Sequence, residues 1–371
     1  MHILSDDKVR NHPDFDNHVM VIHITRERFG LEGIIAIHDV TFGDGTGGTR
    51  FWPYLTMHDA LSDVLPLSRD MTYKSVIAGV PWGGAKAVLI GNPEKDKTDD
   101  LVRAYAYCVD KLRGMFNTGE DMNFHVSDID TMAEITTHVF GRSVRRHKDG
   151  VVGGGDPSLS TKHGVLCGIQ VVLEFLYGDR SFSGRSFCVQ GVGATGLPIA
   201  KALAEGGGTV FISDMKPEAV ERAMKEISGQ VVAIPSDAAH QMACDVFVPC
   251  AGGGIINKHS VDEFDCRAIA GSANCIFTKS TTQYADYLHH TRNILVAPAY
   301  VINGGGLIHI YHEKIGFNAE AVLQDVEKIG GRLTHIFRQS MLTGRSPYQI
   351  SDEIVERKLH DEESKHLKIG T

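Results

Sequence analysis

The sequence predicts an α/β protein of two domains, the second of them a doubly wound parallel sheet, and three observations carry that prediction. A chain of 371 residues is long enough for two domains of about 100–200 residues each. From residue 155 onward short apolar strands alternate with helical segments, which is the rhythm of a parallel sheet covered on both faces. Glycine-rich junctions at 150–155 (GVVGGG) and 303–306 (NGGG) punctuate the chain. The expected boundaries are 1–150 for the first domain, with 335–371 returning to it, and 151–334 for the second.

Element by element, HVMVIHI (18–24) and GIIAIHDV (33–40) read as extended segments. The stretch MTYKSVIAGVPWGGAKAVLIG (71–91) reads as a strand-and-turn wall, apolar because it is core. Between Asp99 and Gly114, Leu101, Ala104, Tyr105, Cys108, Val109 and Leu112 recur at helical spacing. Ser127, followed by Asp128 and Asp130, opens a further helix that Gly141 closes. In the second half the expected strands are 186–190, 209–214, 231–235, 245–250, 267–271 and 294–298, and residues 318–360 read as helical and charged.

Composition bounds the function. With 42% hydrophobic and 22% charged residues the chain is an ordinary globular protein, and a net charge of -9 offers no attraction to nucleic acid or an anionic membrane. Seven cysteines without a CxxC pair suit reduced thiols rather than disulfides or zinc, and nineteen histidines show no metal-ligand spacing. The polar, acidic start and the lack of a long apolar run lead to an expectation of a cytoplasmic protein without a metal.

Residues 189–196, VQGVGATG, place Gly191, Gly193 and Gly196 as GxGxxG after a strand and before a helix. The first glycine permits the tight turn, the second admits a pyrophosphate against the backbone, and the third lets helix and strand approach. Asp214 ends the next strand, 23 residues after Gly191. An acid there receives ribose hydroxyls and repels a 2′-phosphate, which favours NAD and a Rossmann domain.

Lys74 and Lys86 sit twelve residues apart in an apolar run, and a buried ammonium is costly unless paired. Either both heads reach solvent along the surface, or the stretch lines a cleft needing two positive charges. Asp121, in the polar loop FNTGEDMN (116–123), adds a carboxylate. Two amines and an acid suit a site that anchors a substrate carboxylate and moves protons, with a second ammonium and desolvation lowering a lysine's pKa toward a useful base.

The strings GTGGTRFWPY (45–54), MTYK (71–74), GGAKAVLIG (83–91), TGED (118–121), VQGVGATG (189–196), PCAGGG (249–254), AGSAN (270–274) and APAYVINGGGLI (297–308) together resemble the glutamate, leucine, phenylalanine and valine dehydrogenase superfamily. The resemblance implies an N-terminal α/β substrate and oligomerisation domain, a Rossmann domain, and a cleft between them. It makes Lys86 and Asp121 the acid/base pair and Lys74 the carboxylate anchor. Gly47 and Gly48 would offer backbone N–H groups to the substrate carboxylate, while Asn274 and Asn303 would contact substrate. The implied NAD site comprises Thr161, Gly191, Gly193, Ala194, Thr195, Gly196, Asp214, Met215, Cys250, Ala251, Gly252 and Asn274.

The implied reaction is reversible, NAD-dependent oxidative deamination of an L-amino acid to a 2-oxo acid and ammonia, by a homo-oligomer. By the same resemblance Thr46, Gly119, Leu307 and Ile310 line the side-chain pocket. None is basic, which disfavours glutamate, and small groups at Thr46 and Gly119 favour a bulky apolar or aromatic side chain, nearest the phenylalanine and tryptophan types. The chain departs from the family pattern at Ala85, at Ala299, and at Lys162 and His163. Ala85 and Ala299 motivate an alternative, a catalytically reduced NAD-binding regulatory protein, and the Rossmann motif alone would also suit a hydroxy-acid dehydrogenase.

Overall fold

The computed structural model describes residues 1–4, 7–277 and 282–369. Contacts group the chain into two compact units, Met1–Pro157 with His309–Asn318 and Val355–Thr371, and Ser158–Ile308 with Ala319–Ile354. These bounds differ from the expected ones: 309–318 joins the first unit, and of the tail expected to return from 335 only the part from Val355 does so. No helix among the described residues is long and apolar enough to cross a membrane.

The first unit contains β1 (His2–Ile3), α1 (Asp7–Arg10), β2 (Met20–Arg26), β3 (Leu31–Asp39), β4 (Gly45–Thr46), β5 (Thr49–Trp52), α2 (Met57–Ala78), β6 (Gly83–Ile90), α3 (Asp99–Asp110), β7 (Phe116–Asn117) and α4 (Val126–Met132). Its sheet runs β1-β2-β3-β6-β4-β7, and β5 also pairs with β6. Strand β6 is antiparallel to β3 and parallel to β4 and β5. Side chains alternate across a strand, and β6 uses both faces. Val88 joins Ile34, Ala36, Leu61, Val64 and Leu65 beneath α2, whereas Ala85, Ala87 and Leu89 join Leu101, Tyr105 and Cys108 of α3.

Two expectations fail here. Residues 71–78 are the last turns of α2 rather than strand, so the wall described by 71–91 is a helix followed by β6. The helix starts well upstream, where Thr56 and Asp59 form a capping box, and it stops at Gly79 in the left-handed region. Tyr73, Val76 and Ile77 then lie on one helical face. The helix expected from Ser127 to Gly141 spans only Val126–Met132. It opens where the His125 N–H donates to Asp128 Oδ2 (2.7 Å), and Asp130 turns away to accept from the Ser143 hydroxyl (2.6 Å).

The second unit begins with α5 (Ser158–Tyr177) and continues through β8 (Ser186–Gln190), α6 (Gly196–Glu205), β9 (Thr209–Ser213), α7 (Pro217–Glu226), β10 (Val231–Ala233), β11 (Cys244–Pro249), β12 (Cys266–Ile269), α8 (Thr282–His290), β13 (Leu295–Val296) and α9 (Ala299–Ile302). Then follow α10 (Gly305–Ile315), α11 (Ala319–Thr343) and α12 (Pro347–Ile369), of which α10 and α12 run from the second unit into the first. The single helical stretch expected over 318–360 is thus two helices, broken at Gly344, whose φ is 71°.

The second sheet has the order β10-β9-β8-β11-β12-β13, parallel throughout. That is the doubly wound pattern expected, and its order reverses between β8 and β11. Ligands of such sheets bind beyond the carboxyl ends of the strands at that switch point.

Candidate active site

In the first unit the predicted acid/base pair is an ion pair. Lys86 leaves β6 on the α2 side, and its Nζ lies 2.7 Å from Asp121 Oδ2, with side chains 6% and 20% exposed. The loop carrying Asp121 is zipped to β5: the Thr49 N–H donates to Gly119 O (2.9 Å) and the Phe51 N–H to Met122 O (3.0 Å). Asn123, at φ 59°, turns the loop back, and its side-chain amide donates to Phe51 O (3.0 Å).

Asp121 has a second cationic partner that the sequence reading missed. Arg50, on β5 in register with Val88 of β6, donates from Nε to Asp121 Oδ2 (3.3 Å). Its Nη1 donates to both oxygens of Asp63 on α2, at 2.9 and 2.8 Å, and the Tyr54 hydroxyl also donates to Asp63. Charges therefore alternate from Lys86 through Asp121 and Arg50 to Asp63. The available signal was an arginine inside the apolar strand TRFW, since a shielded guanidinium requires a partner. Burial works to raise the Asp121 carboxyl, but Lys86 and Arg50 outweigh it and hold it well below the usual carboxylate range.

Its neighbour Glu120 shifts the other way. Burial, reinforced by the carboxylates of Asp156 and Asp121, pushes Glu120 up to about 7.

Lys74 lies on α2 and is 8% exposed, so it does not trail along the surface. The turn before it packs closely on the sheet: a Cβ on Gly84 would meet Thr72 at 2.1 Å, and one on Gly47 would lie 3.3 Å from the Met71 side chain. Gly47 also faces the Ala85 carbonyl, which a Cβ would meet at 1.7 Å, while a Cβ on Gly48 would meet Glu120 O at 2.5 Å. Both glycines are required by close approach. The Gly47 N–H donates to Asn117 O (3.1 Å), so its expected role as a donor to substrate is already taken by the fold. Thr46 is buried, and its hydroxyl donates to Asp44 O (3.1 Å). A Cβ on Gly119 would come within 3.1 Å of Phe140 O.

Ala85 turns its methyl into the α3-side core, on the face opposite Lys86. The methyl at this departure from the glycine run therefore points away from the Lys86–Asp121 ion pair.

In the second unit the glycine loop follows β8. Gly191 has φ 90°, and its N–H donates to Ser213 O (2.7 Å). A Cβ on Gly196 would lie 1.8 Å from Gly191 O, whereas one on Gly193 would meet nothing within 4 Å. Gly193 and Ala194 are exposed, and no side chain caps the start of α6. The start of α6 therefore follows directly on an exposed stretch of loop backbone, the setting in which helix N-termini bind anions. Asp214 accepts from the Val192 N–H (2.9 Å) and the Lys216 N–H (3.0 Å). A carboxylate oxygen accepts more than one hydrogen bond, so capacity for ribose hydroxyls remains, and the loop fits a dinucleotide.

Met215, beside Asp214, is 89% exposed. The Cys250 N–H donates to Gln190 O (2.7 Å), and the Ala251 Cβ stands 2.9 Å from where a Gly191 Cβ would be, while Gly252 has open space around it. Thr195 shares a hydroxyl hydrogen bond with Ser272 (3.0 Å). Asn303 Nδ2 donates to Asn274 Oδ1 (2.8 Å), joining two predicted residues. Asn303 Oδ1 is buried without a hydrogen-bond partner, an acceptor left open beside that pair. Thr161 lies in the first turn of α5. Leu307 and Ile310 are on α10, Leu307 in the second unit and Ile310 in the first. The Ala299 N–H donates to the Tyr348 hydroxyl (2.9 Å).

Comparison with known proteins matches both parts of this arrangement. Residues 17–141 match the Glu/Leu/Phe/Val dehydrogenase dimerisation domain, and 212–358 match the glutamate/leucine/phenylalanine/valine dehydrogenase domain. The chain is 37% identical to phenylalanine dehydrogenase of Lysinibacillus sphaericus over 333 residues, 88% of this chain and 84% of that one. It is 39% identical to an L-tryptophan dehydrogenase of Nostoc punctiforme over 307 residues, 83% of each chain. The crystal structure of L-tryptophan dehydrogenase from Nostoc punctiforme superposes with a TM-score of 0.74 at 34% identity, covering 96% of this chain and 99% of that one. With two domain matches and relatives of this extent, the chain belongs to the Glu/Leu/Phe/Val family of amino-acid dehydrogenases.

Proposed function

We propose that this chain is an NAD-dependent dehydrogenase that interconverts an L-amino acid bearing a bulky apolar or aromatic side chain with its 2-oxo acid and ammonia. The observation that carries the reading is the shielded Lys86–Asp121 pair at 2.7 Å, set in a family whose members are amino-acid dehydrogenases. The open glycine loop and Asp214 support a dinucleotide with free ribose hydroxyls. When bound, NAD takes the hydride from the substrate Cα.

The chain's residues supply the rest. Lys74 holds and orients the substrate carboxylate, assisted by the Gly48 amide, so that reacting atoms meet in a fixed geometry. Lys86 removes the proton from a water that attacks the substrate iminium, and Asp121 exchanges protons with Lys86 and with the carbinolamine nitrogen until ammonia leaves. The open Asn303 Oδ1 accepts from the substrate amino group. The positions that the resemblance assigns to the substrate side chain, Thr46, Gly119, Leu307 and Ile310, include no cation, so a side-chain carboxylate has no partner among them. Similarity to the dimerisation domain supports self-association through the first unit.

The test is NADH oxidation with a panel of 2-oxo acids, with and without ammonia. Ammonia-dependent oxidation, fastest in kcat/KM with phenylpyruvate or indolepyruvate, is expected. A higher kcat/KM with 4-methyl-2-oxopentanoate would refute the substrate assignment. Ammonia-independent oxidation would point to a hydroxy-acid dehydrogenase, and NADH binding without turnover to a regulatory protein.

A further inference from the structure

We propose that Arg50 and Asp63 are positioning residues that set the proton affinity of the Lys86–Asp121 pair in opposite senses, Arg50 favouring the Asp121 carboxylate and Asp63 partly offsetting the Arg50 charge. The inference rests on the acid/base roles proposed above and extends them to two residues outside the reacting groups.

A group that shuttles protons has to be able to receive one, yet Asp121 Oδ2 is shared by two cationic side chains, Lys86 Nζ at 2.7 Å and Arg50 Nε at 3.3 Å. Two cations on one oxygen favour the ionised form strongly. Asp63 faces the same guanidinium from α2, and both its oxygens engage Arg50 Nη1. The four side chains sum to zero charge.

The architecture fixes the chain of contacts. Arg50 and Lys86 project toward α2 from the adjacent strands β5 and β6, and Asp63 lies in the helix that covers that face. Glu120 on the same loop and Asp156, which faces Glu120, add carboxylates nearby, and Lys74 is a further buried cation on α2. Arg50 is the cation that contacts both Asp121 and Asp63, so Asp63 moderates its charge without touching Lys86.

Neutralising each residue in turn makes opposite predictions for the pH dependence of kcat/KM. Arg50→Gln removes a positive charge, which raises the proton affinity of Asp121 and Lys86 alike. Its acid limb is expected to move to higher pH by about one unit, the low end of the effect of a charge at roughly 4–6 Å. Asp63→Asn removes a negative charge one residue further out, and its limb is expected to move to lower pH by about half a unit. The double variant should lie near the wild type. Because both members of the coupled pair shift together, the sign does not depend on which of them carries the limb.

The assay is ammonia-dependent NADH oxidation across pH by wild type and the three variants, with thermal unfolding reporting fold integrity. Opposite displacements that cancel in the double variant support the inference. Unmoved limbs, or two limbs moving the same way, overturn it. If Arg50→Gln does not fold, Asp63→Asn decides alone, a downward shift in support and an unmoved limb against. An inactive wild type overturns the acid/base reading itself and the inference with it, which separates that failure from unmoved limbs in an active enzyme.

Discussion

Replacing Lys86 by alanine removes the group on which the proposed chemistry turns, and the structure sets what should follow. A positioned general acid or base contributes about 10²–10⁴-fold, equivalent to about 2.7–5.4 kcal/mol of barrier at 1.36 kcal/mol per decade. The kcat of reductive amination should fall by that range, while NADH affinity, which the proposed site assigns to the second unit, stays within about twofold. Stability should fall too. Removing one partner of a buried ion pair costs about 3–5 kcal/mol when the other charge is left alone, but Asp121 keeps Arg50 at 3.3 Å, so a loss of about 1–3 kcal/mol is expected.

This loss has a defined pH dependence. The Asp121 carboxyl lies below its unfolded value, so its contribution is fully present above the ordinary carboxylate range and disappears as pH falls below about 4. The stability gap between wild type and Lys86→Ala should therefore narrow from pH 6 to pH 3, read as the difference in thermal midpoint. A variant retaining kcat within tenfold of wild type would refute the role of Lys86, and a gap that widens in acid would refute the electrostatic account of Asp121.

Three further perturbations follow from the same geometry. Glu120 is raised to about 7, so its neutral form stabilises the fold below its unfolded value of about 4.5 and that contribution is lost as pH rises through 7; Glu120→Gln should raise the thermal midpoint at pH 8 and leave it unchanged at pH 4.5, and no difference at pH 8 would contradict it. Gly47→Ala would set a Cβ 1.7 Å from the Ala85 carbonyl, forcing backbone apart at a cost of at least about 1–3 kcal/mol, which an unchanged midpoint in thermal unfolding would disprove. Asp214→Ser should raise the kcat/KM ratio for NADPH over NADH by about tenfold or more, the value of one charge-assisted hydrogen bond, and a ratio equal to wild type would argue against Asp214 as the ribose ligand.

The glycine loop was legible because its chemistry is local. Gly191, Gly196 and Asp214 lie within 24 residues, and the tight turn, the crowded helix entry and the acid at the strand end are each required by neighbouring backbone. The alternating strands of the second sheet were legible for a similar reason, since burial on both faces leaves continuous apolar runs. Residues 71–78 misled because an apolar run is compatible with either helix or strand, and the deciding signal, the Thr56–Asp59 capping box, stands fifteen residues upstream.

By itself the sequence determined the doubly wound domain, the glycine loop after its first strand and, through its motifs, the family, and it marked Lys74, Lys86 and Asp121 as candidates for the site. Tertiary structure alone decided who touches whom. Arg50 reaches Asp121 across 71 residues of chain because β5 and the 118–124 loop are paired, and it reaches Asp63 because α2 covers that face of the sheet. It also decided that Ala85 points into the core and that the Gly47 amide is already bonded to Asn117. Periodicity and motif spacing report the backbone a residue adopts, whereas the direction a side chain faces and the charge it meets depend on strand register and helix placement, which form only when distant segments pack.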